Sequence, residues 1–168
     1  VASAWTSVAC TCLSPFVCPV NRRKFAKSPS GVAKTCACNR LWSAGGALRF
    51  REAVTNERGM GQIDRGQFDR DERVGYVNGA CLMIRREVFR DIGLWDPVYH
   101  VSVEDADLCE RAKRAGWECW YAHRARLWHM VSPTTGGYVA ARTFRTGRST
   151  AIFVRRFATA AGWATWLF

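Results

Sequence analysis

Val103-Glu104-Asp105-Ala106-Asp107-Leu108-Cys109-Glu110-Arg111, residues 103–111, is the stretch on which the reading of this chain turns. Apolar residues recur at Leu108, Cys109, Ala112 and Ala115, the stripe of a helix packed on a core. Asp107 with Arg111, and Glu110 with Arg114, are i,i+4 pairs of opposite sign. Such pairs mark a solvated face and are worth about 0.5 kcal/mol each. Asp105 lies three and four residues before Leu108 and Cys109, so the spacing puts it on the packed side. A partly buried carboxylate beside other acids has its pKa pushed upward, which suits a general base. The same acids also read as helix capping. Ser102 with Asp105 three residues on approximates a capping box, and acids suit the positive end of the helix dipole.

Outward from this helix, Gly116 falls where a helix running to Ala115 needs its C′ residue. Beyond it, Trp117 to Tyr121 predicts a short strand, and Ala125 to Met130 a second one carrying His129. On the other side, Arg85 to Asp91 predicts a short helix stopped by Gly93, and Leu94 to Ser102 a loop around Asp96-Pro97. Val74 to Ile84 is rich in β-formers and broken by Gly75 and Gly79. It reads as a strand kinked at Asn78-Gly79, where glycine either admits a ligand close to the backbone or makes a bulge. Residues 51–73 are charged and glycine-bearing and read as a surface loop. Asp69-Arg70-Asp71 within it spells Asp-x-Asp, but no apolar strand precedes it to fix both carboxylates, and it reads as solvated loop. His100 and His123 read as loop or surface residues, and His129, on spacing alone, as a structural hydrogen-bonder.

The pieces Val77-Asn78-Gly79-Ala80-Cys81-Leu82-Met83-Ile84, Ile92-Gly93-Leu94-Trp95-Asp96, Glu104-Asp105-Ala106-Asp107-Leu108, Ala115-Gly116-Trp117 and Leu127-Trp128-His129 follow one another in order. Together they resemble the C-terminal half of inverting family 2 glycosyltransferases, and most of all the bacterial rhamnosyltransferase-like branch. The resemblance runs from about Arg40 to Arg148. It implies an α/β fold of the GT-A type, here a partial one lacking most of the nucleotide-binding half. It also implies a nucleotide-sugar donor, a divalent metal (Mg²⁺ or Mn²⁺), and a glycan or lipid-linked acceptor of the cell envelope. Asp105 would then be the base, and Glu104 would position it or the acceptor. Asn78, Gly79, Trp95 and Asp96 would bind the acceptor, and His129 would hold the metal.

Residues 1–39 look different from the rest. They carry basic residues but no acids, and show no sustained period of 2 or 3.6, so an atypical, poorly ordered segment is expected. Cys10 with Cys12, and Cys36 with Cys38, are spaced more tightly than the paired ligands of structural zinc sites. Nothing in this segment matches the family's Asp-x-Asp strand, so the expectation is a truncated or incomplete copy. Residues 40–150 make the acceptor-side half, and 151–168 a basic, aromatic C-terminal helix.

The net charge of +11 suits an anionic membrane surface, a diphosphate-bearing substrate or nucleic acid. Arg142, Arg145 and Arg148 follow a glycine-rich loop and can clamp a diphosphate. Phe153, Phe157, Ala160 and Ala161 share a helical face, with Trp163, Trp166 and Phe168 beyond, which reads as a face for anionic lipid. No stretch has the layout of a signal peptide and no apolar run reaches the ~20 residues that span a bilayer. The expected place is therefore cytoplasmic, peripheral at the inner face of the plasma membrane, with free thiols. The rivals are a basic nucleic-acid-binding module and an inactive interaction domain. Against the first, no recognition motif is present and the acidic helix start repels phosphate.

Overall fold

The computed structural model describes residues 33–35, 40–50, 54–129 and 140–167. Residues 1–32 and 36–39, with the cysteines of that segment, and residues 51–53, 130–139 and 168 lie outside the described residues.

The strands are short. β1 (Ala33–Thr35) sits between β2 (Leu41–Ser43), antiparallel to it, and β7 (Trp128–His129), parallel to it. β1 thus comes from the segment that the sequence sets apart. β3 (Gly46–Leu48) pairs antiparallel with β4 (Thr55–Glu57), and β5 (Glu72–Val74) with β6 (Cys119–Tyr121). A bridge between Gly46 and Tyr76 ties the second pair to the chain leaving β5. The helices are α1 (Arg86–Ile92), α2 (Glu104–Arg114), α3 (Ala140–Phe157) and α4 (Ala160–Leu167). The architecture is mixed α/β.

α1 ends at Gly93, and α2 ends at Ala115 with Gly116 at φ +89°, a left-handed value that glycine adopts without a Cβ penalty. α2 buries Leu108, Cys109 and Ala112 as the spacing predicts, and Ala106 besides, whereas Ala115, expected on the same stripe, is exposed. Its core neighbours are Val54, Tyr76, Tyr99, Val103, Cys119, Phe153, Val154 and Phe157. A smaller cluster gathers Leu41, Ala44 and Tyr121, with Phe68 against it.

Five expectations are corrected. Asp107 is not on a solvated face: it is fully buried. The apolar face of the C-terminal region is core, since Phe153 and Val154 are fully buried and Phe157 nearly so. That helix also starts at Ala140 rather than near 151, and α4 is separate from it. The strand from Val74 to Ile84 stops at Val74, and Gly79–Cys81 forms a single 3₁₀ turn. Residues 51–73 are not all loop, because β4 and the start of β5 come from them.

Candidate functional site

The capping box is absent. Ser102 and Val103 both take left-handed backbone angles, at φ 66° and 60°, and the N-cap residue Val103 makes no side-chain hydrogen bond to the helix start. The Ser102 hydroxyl instead meets the Thr146 hydroxyl of α3 at 3.2 Å. Left-handed valine is sterically costly, and such strain persists only where the surroundings impose it. Here Val103 is buried in the core at the helix entrance. The two residues turn the chain sharply, so that α2 begins with Glu104 and Asp105 on the wall of a cleft of about 430 Å³. Val54, Thr55 and Glu57 of the β4 region, Tyr76, Asn78, and Thr146 and Thr150 of α3 complete the lining.

Within this cleft Asp105 is held by two backbone donors. The Gly79 N–H donates to its Oδ2 at 2.7 Å and the Ala106 N–H to its Oδ1 at 2.8 Å. A Cβ at Gly79 would lie 3.4 Å from both the Cβ and Oδ2 of Asp105, so this glycine is approached by the carboxylate itself. Burial pushes the Asp105 carboxyl above its ordinary range, and the charges of Glu104 and Glu57 add to the rise. The two N–H donors act the other way. Glu104 keeps one buried oxygen, Oε2, without a hydrogen-bond partner.

Glu57 is the residue that the sequence reading missed. It accepts hydrogen bonds from Asn78 Nδ2 at 2.7 Å, from the Tyr76 hydroxyl and from the Ser43 hydroxyl. Asn78 in turn accepts the Ala80 N–H on its Oδ1 at 2.9 Å, which shapes the turn containing Gly79. The one hint in the sequence was Val54-Thr55-Asn56, a β-tolerant run before Glu57 within an otherwise charged stretch.

The other expected site residues are dispersed. Trp95 and Asp96 do not line the cleft. Asp96 accepts the Val98 N–H at 2.9 Å and pairs with Arg156 at 2.8 Å, and these contacts hold its carboxyl below the usual range. Arg142 lines an adjoining opening that shares Ser102 and Thr146 with the cleft. Arg145 is exposed, and Arg148 is exposed with its guanidinium donating to the Val98 carbonyl at 2.9 Å. Asp71 of the rejected Asp-x-Asp accepts from the His123 backbone and ring, which lowers its pKa and gives His123 a partner.

His129 stands at the end of β7 with its ring 4.9 Å from that of Trp42. Burial lowers its pKa, and its Nδ1 is buried with no hydrogen-bond partner. A neutral imidazole with an orphaned nitrogen is a suitable metal donor. Among the described residues, however, no three His, Cys, Asp or Glu side chains converge as a metal-binding group. These residues therefore supply one donor and not a metal centre.

Asp107 organises the opposite face of α2. Its carboxylate accepts from Arg111 Nε at 2.7 Å, from Arg156 at 2.9 Å and from the Tyr99 hydroxyl at 3.2 Å. Arg111 also donates to the carbonyls of Ile92 and Leu94. α2 is therefore fixed to the preceding loop and to α3 through one buried carboxylate.

Known proteins resemble this chain over part of its length. A family model described as glycosyltransferase like family 2 matches residues 10–149, and so begins upstream of Arg40. Two curated relatives, from Mycobacterium tuberculosis strains CDC 1551 / Oshkosh and ATCC 25618 / H37Rv, are each called N-acetylglucosaminyl-diphospho-decaprenol L-rhamnosyltransferase. Each is 36% identical over 81 residues, which is 48% of this chain and 26% of the relative. The match thus spans about a quarter of the relatives' length. No solved structure matches.

Proposed function

The chain belongs to glycosyltransferase like family 2, and from that premise we propose that it carries the base and the acceptor side of an inverting sugar transfer. The donor is a nucleotide-sugar, and the acceptor is a lipid-linked glycan of the cell envelope. The rhamnosyltransferase relatives support that choice of acceptor, and rhamnose as the sugar. The observation that carries the reading is Asp105, a desolvated carboxylate held by backbone donors on the wall of an open cleft.

The chemistry follows from that geometry. An acceptor hydroxyl in the cleft donates its hydrogen bond to Asp105. As its oxygen attacks the anomeric carbon, Asp105 takes the proton. The bond from that carbon to the diphosphate breaks, and its electron pair leaves with the nucleoside diphosphate. The raised pKa makes Asp105 a stronger base than a solvated carboxylate once it is ionised. A divalent cation bound with the diphosphate would neutralise charge on the leaving group. His129 is the donor we assign to it, and Arg142, beside the cleft, the cation we assign to the diphosphate. The test is transfer of radiolabelled sugar from a nucleotide donor to a polyprenyl-diphosphate glycan. Absence of transfer to that acceptor class, with transfer to a different class, would overturn the acceptor assignment.

We also propose that α3 meets an anionic membrane surface through its N-terminal half. No described helix is long and apolar enough to cross a membrane. α3 carries five arginines and no acid, and Phe144 stands 73% exposed between Arg142, Arg145 and Arg148. Arginines near an anionic surface contribute about 1 kcal/mol each. Changing these three to glutamine should therefore weaken partitioning onto phosphatidylglycerol vesicles roughly a hundredfold. Equal partitioning of the variant and the parent chain would refute this. Truncation is the wrong experiment, because Phe153, Val154 and Phe157 lie in the core.

A further inference from the structure

We infer that Glu57 is the positioning residue for Asp105, acting through Asn78 and the backbone of Gly79. This rests on the reading of Asp105 as the base. Glu57 ends β4 and touches nothing of α2 through a hydrogen bond. Its reach to Asp105 is a relay. Glu57 Oε1 accepts from Asn78 Nδ2 at 2.7 Å, and Asn78 Oδ1 accepts the Ala80 N–H at 2.9 Å. The turn so held presents the Gly79 N–H to Asp105 Oδ2 at 2.7 Å.

The relay has a fixed polarity. An amide has one accepting and one donating end, so Asn78 can serve both Glu57 and Ala80 in only one orientation. Glu57 takes the donating end and leaves the oxygen facing the turn. Tyr76 and Ser43, from two other strand regions, donate to the same carboxylate and fix where it sits. A glutamine at 57 places an NH₂ among three donors, and at least one of them loses its acceptor. Misplacement of a catalytic group by a fraction of an ångström to about 1 Å costs up to ~10² in rate.

The groups facing Asp105 are Glu57 from β4, Tyr76 from the chain after β5, and Glu104 and Cys109 from α2 itself. α3 contributes the uncharged Thr146 and Thr150 to the cleft and Arg142 to the adjoining opening. Because several of these perturb the Asp105 titration at once, the midpoint is a poor reporter of the relay. The Gly79 amide proton is a direct one, since it sits in the hydrogen bond itself.

The experiment is a pH titration of the ¹⁵N-labelled full chain. In the parent chain the Gly79 amide proton should shift with the ionisation of Asp105, and Asp105→Asn should erase that shift. In Glu57→Gln the amplitude should fall by half or more, while the amides of α2 beyond Leu108 keep their positions. Asn78→Ala, which keeps the Glu57 carboxylate but cuts the relay, should produce the same fall and serves if Glu57→Gln does not fold. Sugar transfer should drop tenfold or more in both variants. Full amplitude in both variants would overturn the positioning role, whatever the rates. Normal transfer by Asp105→Asn would overturn the base assignment instead, and with it the catalytic meaning of the relay.

Discussion

Asp107→Ala lowers the stability of the chain by about 3–5 kcal/mol and its melting temperature by roughly 6 to 20 °C. The carboxylate is fully buried and is the shared acceptor of Arg111, Arg156 and Tyr99. Its removal leaves cations and a hydroxyl in a partly desolvated place with one partner fewer. The loss is moderated because Arg156 keeps Asp96 and Arg111 keeps two carbonyls. Arg73→Ala is the control. Arg73 pairs with Glu118 at the surface, with 65% and 42% of the two side chains exposed. Pairs of that kind are worth about 0–1 kcal/mol. Chemical denaturation of the two variants on one preparation decides the matter. Equal, small losses would mean that the Asp107 network contributes no more than a surface pair.

With Asp105 as the proposed base, Asp105→Asn should cut sugar transfer sharply without weakening the fold. Loss of a general base costs ~10² to 10⁴ in rate. Asparagine keeps the shape and one accepting oxygen for the Gly79 N–H, but it cannot take the acceptor proton. The stability effect has a definite sign. Burial holds the folded-state pKa of Asp105 above its unfolded value, so ionisation opposes folding. This residue's contribution to stability is complete below the unfolded pKa, and it declines as pH rises through the folded pKa. Asn carries no such decline. The melting temperature of Asp105→Asn relative to the parent should therefore rise from acid toward neutral pH. A helix-capping role forecasts the reverse at neutral pH: a lower melting temperature with turnover per folded molecule intact. Melting curves at several pH values, with rates on the same samples, separate the two.

Much of the local structure around this site was legible. Gly93 and Gly116 mark the ends of α1 and α2, and the stripe of α2 appears in the spacing of Leu108, Cys109 and Ala112. β6 and β7 fall within the two expected strand segments. What escaped the sequence was long-range. Asp107 and Arg111 carry the signature of a surface pair, and that pair does form at 2.7 Å. Its burial depends on Arg156 and Tyr99, at separations that no periodicity reports. Glu57 was hidden because three-residue strands such as β4 are too short to show alternation. In the C-terminal region the period was read correctly but the partner was not. A face holding Phe153 and Phe157 suits lipid and protein core equally, and only the packing of Val54, Tyr99 and Val103 against it decides for the core.

The contact between Asp107 and Arg156 joins residues 49 positions apart, and this bears on the order in which the molecule comes into being. A chain made from its N-terminus exposes β4, the Gly79 turn and α2 well before Arg156 exists. Until then the buried carboxylate of α2 lacks its distant cation, and Tyr99 and Val103 lack Phe153 and Val154. α2 can form early as a helix and meet Gly79, Ile92 and Leu94, but the face carrying Asp107 gains Arg156 only when α3 arrives. A nascent chain therefore carries every residue of the Asp105–Gly79 hydrogen bond before it has a scaffold that holds them in register. The cleft is completed late in synthesis, when α3 brings Thr146 and Thr150 to its wall and Arg156 to Asp107 behind it.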